Sequence, residues 1–309
     1  MTMRNPQIIV YVLLAIVLAI APFAIQPVFI MTALCYALFA CSCNLLVGYA
    51  GLLSFGHAAY FGIGSYVAAW FASHLGWSPE LAILAATASG VVVGAFFGWL
   101  AIKQSGIYFS MITLALGQMV YFISLQSPAT GGEDGIQHVV RAPLLGLFDI
   151  ASDGRFYVVV AVLFLLAYAF ISRVVRSPFG NILKGIRENE SRMVSLGYVP
   201  DRYKLIAFVL STGIAGLAGG TKALVIGLAT LTDVHFMMSG LVVIMVLLGG
   251  LGTLLGPVVG AVILIAMNNY LAPLGAWVTF IQGCILLACV LVFRSGIVGE
   301  IQSRLRVSL

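Results

Sequence analysis

The sequence predicts an all-α polytopic membrane protein: about ten transmembrane helices in a single domain over residues 1–309, with an amphipathic helix on the cytoplasmic face. Three observations point there. The 309 residues are 62% apolar and only 8% charged, where an average soluble domain carries roughly 25% charged residues. Apolar runs long enough to cross a hydrocarbon core of ~30 Å recur along the whole chain. Lysine and arginine cluster on one side of those runs. A nucleic-acid partner is excluded as a theme, because the +5 net charge is not organised as a basic run interleaved with aromatics.

Taken in order, the spans fall at 8–25, 28–48, 52–73, 81–101, 106–125, 156–172, 205–227, 236–250, 254–270 and 274–293. Each is expected to be helical, because lipid offers no partner to an unpaired backbone group. The N-terminal run follows a single arginine, Arg4, and continues without a small-residue cleavage site, so it reads as a retained first span. The eighth span is short, and Gly249, Gly250, Gly252 and Gly256 before Pro257 mark it as broken or re-entrant. With the N-terminus in the cytoplasm, alternation puts twelve Lys and Arg inside and only Arg141 and Arg155 outside, diluted there by Glu133, Asp134, Asp149 and Asp153. The C-terminus is then also cytoplasmic. Trp70, Trp77, Trp99 and Trp277 fall near expected interfaces, where amphipathic rings settle. The five cysteines lie in apolar runs with no metal-site or disulfide spacing, and read as small buried hydrophobes.

Two connections are long, an outer one over 126–155 and a cytoplasmic one over 173–204. Within the second, Ser177 reads as an N-cap with Pro178 at the first helical position, and Gly197 as the residue past the C-terminus. Ile182, Ile186 and Met193 recur at helical spacing, while Lys184–Glu188 and Glu188–Arg192 are opposite charges four apart. An amphipathic helix of this kind either rests on headgroups or lays its apolar stripe into a groove of a partner.

Four stretches carry a resemblance. They are NLLVGYAGLLSFGHAAYFGIG from Asn44, TGGEDGI from Thr130, SPFGNILKGIRENESRMVSLG from Ser177 (continued by YKLIAFVLS from Tyr203), and GGLGTLLGPVVGA from Gly249. In that order and separation the chain resembles branched-chain amino-acid ABC transporter permeases, specifically the LivM-like subunit, from about residue 28 to 295. The resemblance implies a bacterial inner-membrane permease that works with two ABC ATPase subunits, a second, LivH-like permease and an extracytoplasmic substrate-binding protein. It implies that ATP and Mg are bound by the ATPases and that this chain carries no cofactor, metal or enzymatic activity. It also implies that the 177–197 helix takes the ATPase contact, through Lys184, Ile186, Arg187, Glu188, Glu190, Arg192 and Gly197. The substrate implied is a branched-chain amino acid, or a related small solute such as urea or a short amide.

The residues agree with an external energy source. No phosphate-binding loop occurs, since Gly219-Gly-Thr-Lys222 lacks the required order, and no Asp or Glu lies inside a clear span to couple transport to an ion gradient. Asn44, Ser54, Gly56 and His57 make the most polar stretch within expected spans, and either pack helices together or line the substrate route. Lys222 either snorkels to the outer interface or attracts a substrate carboxylate. Gly252 and Pro257 read as a hinge or as close packing. Glu133 and Asp134 are either a solvated turn or a docking point for the binding protein. A secondary transporter or passive channel is the alternative function, needing no ATPase. An intramembrane enzyme built on Ser54 and His57 lacks a complete nucleophile, base and orienting group.

Overall fold

The computed structural model describes residues 14–22, 25–139, 141–143, 152–275, 277–292 and 296–305. The N-terminus, the two ends of the first expected span, Asp149, Arg294 and Arg306 lie outside the described residues, as do the side chains of Cys289 and Arg304.

The described chain is a helical bundle. Helix α1 covers 14–22. It is followed by α2 (Pro27–Asn44), which runs into a π-helical turn at Leu45–Ala50, and then α3 (His57–His74), α4 (Pro79–Ala101) and α5 (Ile107–Gln126). Next come α6 (Asp153–Arg176), the short α7 (Pro178–Glu188) and α8 (Glu190–Ser195), and the long α9 (Pro200–Ile226). The chain closes with α10 (Phe236–Gly249), α11 (Gly256–Leu271), α12 (Trp277–Val292) and α13 (Gly296–Leu305). The strands are two-residue pieces, β1 (Ile136–Gln137) antiparallel to β2 (Leu228–Ala229). Among the described residues, five helices are long and apolar enough to cross a membrane: α2 with its π turn, α4, α5, α6 and α9. At 14 residues, α10 reaches only ~21 Å at 1.5 Å per residue. One end of the bundle carries α7 and α8; the other carries the small sheet.

Glycines set the core. α9 is the central helix, and α3 and α4 press on it where a Cβ would have no room. Gly90, Gly94 and Gly98, one turn apart on α4, face Thr212, Thr212 and Phe208 of α9, while Gly64 of α3 meets the Gly216 carbonyl. Lipid gives helices no hydrophobic reason to associate, so this backbone-close packing is what holds them. Cys35, Cys41 and Cys43 are buried in α2 as expected, whereas Cys284 is exposed on α12.

Three expectations change. The second and third spans are separated by an irregular segment over 51–56, because Gly51, at φ +72°, ends the π turn in a left-handed conformation. Ser54 therefore sits in a connection and Gly56 caps α3. The single helix expected over 177–197 breaks at Asn189, whose extended backbone (φ −157°) and side-chain acceptor for the Arg192 N–H start α8 afresh. The Glu188–Arg192 pair thus straddles a break, and Ser177 turns its hydroxyl back to the Val174 carbonyl (2.7 Å) in place of capping α7. Gly197, at φ +88°, does follow the last helical turn, with the Tyr198 N–H reaching back to the Met193 carbonyl at 3.1 Å.

Candidate functional site

At the α7 end, the structure gathers several of the singled-out residues around the π turn. A π turn spaces its carbonyls for i+5 partners and widens the helix. Asn44, just before it, sends Nδ2 to the Thr253 carbonyl (2.8 Å) and accepts the Gly252 N–H on Oδ1 (3.0 Å). One side chain thereby satisfies two backbone groups of the 250–255 break between α10 and α11. Gly252 sits at φ +73°. Thr253 completes the turn, donating to the Gly250 carbonyl (2.8 Å) and accepting the Gly256 N–H (3.1 Å). Pro257 occupies the first turn of α11, where its missing N–H leaves nothing unsatisfied.

Helix α7 closes this cluster from outside. Arg187 donates through Nη1 to the Gly48 carbonyl, and its aliphatic stem lies along Gly51. One turn earlier, Lys184 stands 5.5 Å above the Tyr49 ring. Gly48 is the pivot: a Cβ there would overlap Asn44 Oδ1 and lie 2.7 Å from the Gly252 nitrogen. Arg187, Gly48, Asn44 and Gly252 therefore form a continuous chain of contacts from α7 through α2 to the α10–α11 break.

Two other expected coupling residues have structural partners. Ile186 is buried with Leu183, anchoring α7 to the bundle. Glu190 binds the buried Lys204 at 2.6 Å, fastening α8 to α9. Glu188, Arg192, Val194, Leu196, Tyr198 and Val199 are exposed.

Deeper in the bundle, His57 Nε2 lies 2.9 Å from Ser42 Oγ and 3.4 Å from Ser211 Oγ. Ser42 gives its proton to the Phe39 carbonyl (2.7 Å) and Ser211 gives its own to the Ser42 carbonyl (2.5 Å). Both hydroxyl protons being committed, Nε2–H is the donor to Ser42 and Nδ1 carries a lone pair. That Nδ1 and the Ser54 hydroxyl have no hydrogen-bond partner among the described residues. Phe39 stacks on the imidazole at 5.5 Å. The cluster ties α2, α3 and α9 together, and Gly56 beside it presses on the Thr113 carbonyl of α5.

Lys222 neither snorkels nor stands open. At the sheet end its Nζ lies 2.9 and 2.7 Å from the two oxygens of Asp233, and both residues are buried. Asp233 Oδ2 also accepts from Ser65 Oγ (3.2 Å) and the Thr230 N–H (3.2 Å). A carboxylate is thus buried after all, held in the turn ahead of α10 and outside any apolar run. Glu133 and Asp134 are exposed on a turn whose flanking Gly131, Gly132 and Gly135 all have positive φ. They line a polar cavity of ≈ 740 Å³ with His138 and Thr230. Nearby, Arg141 bonds the Leu224 and Val225 carbonyls (3.0 and 2.7 Å) at the C-terminus of α9, and Asp153 at 2.6 Å.

Sequence reasoning missed Ser42, Ser211, Thr253 and Asp233. Ser42 had a signal, as a hydroxyl between two cysteines in an apolar run. The others act through partners more than 150 residues away, or in Asp233's case across a turn.

The family model described as branched-chain amino acid transport system / permease component matches residues 28–290. The chain is 28% identical over 257 residues to the high-affinity branched-chain amino acid transport system permease protein LivM of Salmonella typhimurium, covering 76% of this chain and 60% of that protein. It is 29% identical over 262 residues to LivM of Escherichia coli, with the same coverage. It is also 29% identical over 249 residues to the autoinducer 2 import system permease protein LsrC of Salmonella paratyphi B, covering 75% of this chain and 67% of that one. The chain thus spans about 60% of the length of the two LivM proteins. No solved structure matches significantly.

Proposed function

The chain belongs to the family of branched-chain amino acid transport system permease components, and on that premise we propose that it is the membrane-spanning subunit of a binding-protein-dependent ABC importer. In this reading ten helices cross the inner membrane with both termini in the cytoplasm. α7 and α8 lie on the cytoplasmic face, and the sheet end faces outward. Two ATPase subunits, which bind the ATP and Mg, a second LivH-like permease and a substrate-binding protein complete the assembly. The solute is a branched-chain amino acid or a similarly small polar molecule. Glu133 and Asp134, on the rim of the outer cavity, offer acidic contacts to the binding protein.

The observation that carries the reading is the chain of contacts from Arg187 through Gly48 and Asn44 to Gly252. A push on α7 reaches a π turn and a glycine-rich break, the two backbone elements least held by regular helix bonds. Leu183 and Ile186 root α7 in the bundle, so its motion is passed inward. Glu188, Arg192, Val194, Leu196, Tyr198 and Val199 are the surface left for the ATPase. Asn44 and Gly252 then act as the relay, and His57 as a packing pin beside the route.

The test is a mild-detergent pull-down of the tagged chain combined with uptake assays on Arg187→Ala. Co-purification of an ATPase and a second permease, with uptake lost in an assembly that still forms, is the expected result. Recovery of a chain that transports alone would favour a secondary transporter or channel. Normal uptake by Arg187→Ala would remove the relay.

A further inference from the structure

Between α4, α6 and α9 the bundle leaves an apolar groove of ≈ 700 Å³ that the proposed mechanism does not use. One wall is the face of α6 from Val158 to Phe170; Val91 of α4 and the Leu210–Leu217 face of α9 complete it. Twelve residues of helix make the groove ~18 Å long. Helix–helix contacts in lipid favour small residues, whereas these walls are mostly Val, Leu and Phe. A flexible hydrocarbon chain fits that chemistry.

The α7 end of the groove carries charge. Arg173 continues the Val162–Leu166–Phe170 face of α6 one turn further on, and Arg202 lies on the groove side of α9 two turns before Leu210. Both are exposed, and neither has an ion-pair partner among the described residues. The start of α7 lies against the start of α9, where Phe179 and Tyr203 have ring centroids 5.9 Å apart.

We propose that this groove binds an anionic phospholipid of the cytoplasmic leaflet, with an acyl chain between α4, α6 and α9 and the phosphate between Arg173 and Arg202. The two arginines bracket the α7–α8 segment, one just before it and one just after. A bound headgroup therefore holds the entry and exit of the segment that the relay depends on. This rests on the reading of the chain as a membrane-spanning permease with α7 in the cytoplasm, but lipid binding is measurable without transport.

The experiment is a lipid titration of the detergent-purified protein, with the subunits it retains, by native mass spectrometry, with phosphatidylglycerol and phosphatidylcholine as probes. Phosphatidylglycerol is expected to bind more tightly. Arg173→Gln and Arg202→Gln should each weaken it about fivefold without affecting phosphatidylcholine, and Arg173→Lys should keep most of the preference. Val162→Trp, at a half-exposed position on the groove wall, should displace both lipids. Equal binding of the two lipids, or a preference that survives both glutamine variants, overturns the proposal. So does cross-linking of Val162→Cys to a partner chain in place of lipid. Failure of the pull-down to recover an ATPase would sink the importer reading and leave the titration unaffected.

Discussion

The two ends of the bundle are held by different chemistry. At the α7 end, Asn44 and Arg187 bond backbone groups of a π turn and a glycine-rich break, and an ion pair there, Glu190–Lys204, has an exposed carboxylate. At the sheet end, Lys222 and Asp233 form an ion pair with both members buried, and Arg141 grips the last carbonyls of α9. Hydrogen bonds to irregular backbone are each worth ~1 kcal/mol net and are readily exchanged. A buried charge pair behaves differently: it contributes little over an apolar pair, yet breaking one half is severe. The α7 end is therefore built from exchangeable parts and the sheet end from a lock that resists partial opening.

The largest effect should come from breaking that lock on one side only. Asp233→Ala leaves Lys222 buried and uncompensated, and is expected to lower stability by about 3–5 kcal/mol, read as a fall in the unfolding midpoint in detergent. The double variant Lys222→Met/Asp233→Leu should recover most of the loss. A double variant no better than the single one would show that Ser65 and the Thr230 N–H, which also bind Asp233, matter more than the charge.

At the other end, Gly48→Ala tests the close approach. Its methyl group would overlap Asn44 Oδ1 and crowd the Gly252 nitrogen, which for an overpacked site predicts a loss of about 1–3 kcal/mol. Uptake should fall further than that loss accounts for, because the methyl group separates the two halves of the relay. Asn44→Leu, of similar size, should be equally specific, since it removes both the acceptor for the Gly252 N–H and the donor to the Thr253 carbonyl.

These contrasts also explain what could be read from sequence. Helix positions were legible where apolar length fixes them: 81–101 and 106–125 differ from α4 and α5 by two residues or fewer, whereas 52–73 and 205–227 start five residues away from α3 and α9. The break at Asn189 was not legible. Its flanks look helical, and only the side-chain bond to the Arg192 N–H shows a second helix starting. Asn44, Gly252 and Arg187 were each visible as unusual residues, but their meeting depends on contacts across more than 130 residues of chain. Lys222 was visible as a charge in an apolar run; its partner was not, because Asp233 lies in a short polar turn that reads as an ordinary connection.

A smaller effect is expected in the core. Ser211→Ala removes the donor to the Ser42 carbonyl and one neighbour of His57. Ser42 remains bonded to His57 at 2.9 Å, so the loss should be about 1 kcal/mol, with α3 still packed on α9 through Gly64 and Gly219. A much larger loss would mean that the serines are what hold α9 against α2.

The smallest effect sharpens the comparison most. Glu190–Lys204 and Lys222–Asp233 are the same chemistry at nearly the same distance, 2.6 and 2.7 Å, but the Glu190 side chain is 43% exposed and that of Asp233 only 2%. Water already screens the Glu190 carboxylate, so Glu190→Gln should lower stability by less than about 1 kcal/mol. At ~1 M salt, where the screening length shrinks to ~3 Å, even that difference should vanish. Salt cannot reach the other pair, so the deficit of Asp233→Ala should persist unchanged at the same ionic strength. Loss of the deficit in both variants would place Lys222 and Asp233 in contact with water, and the sheet end would then open as readily as the end that carries α7.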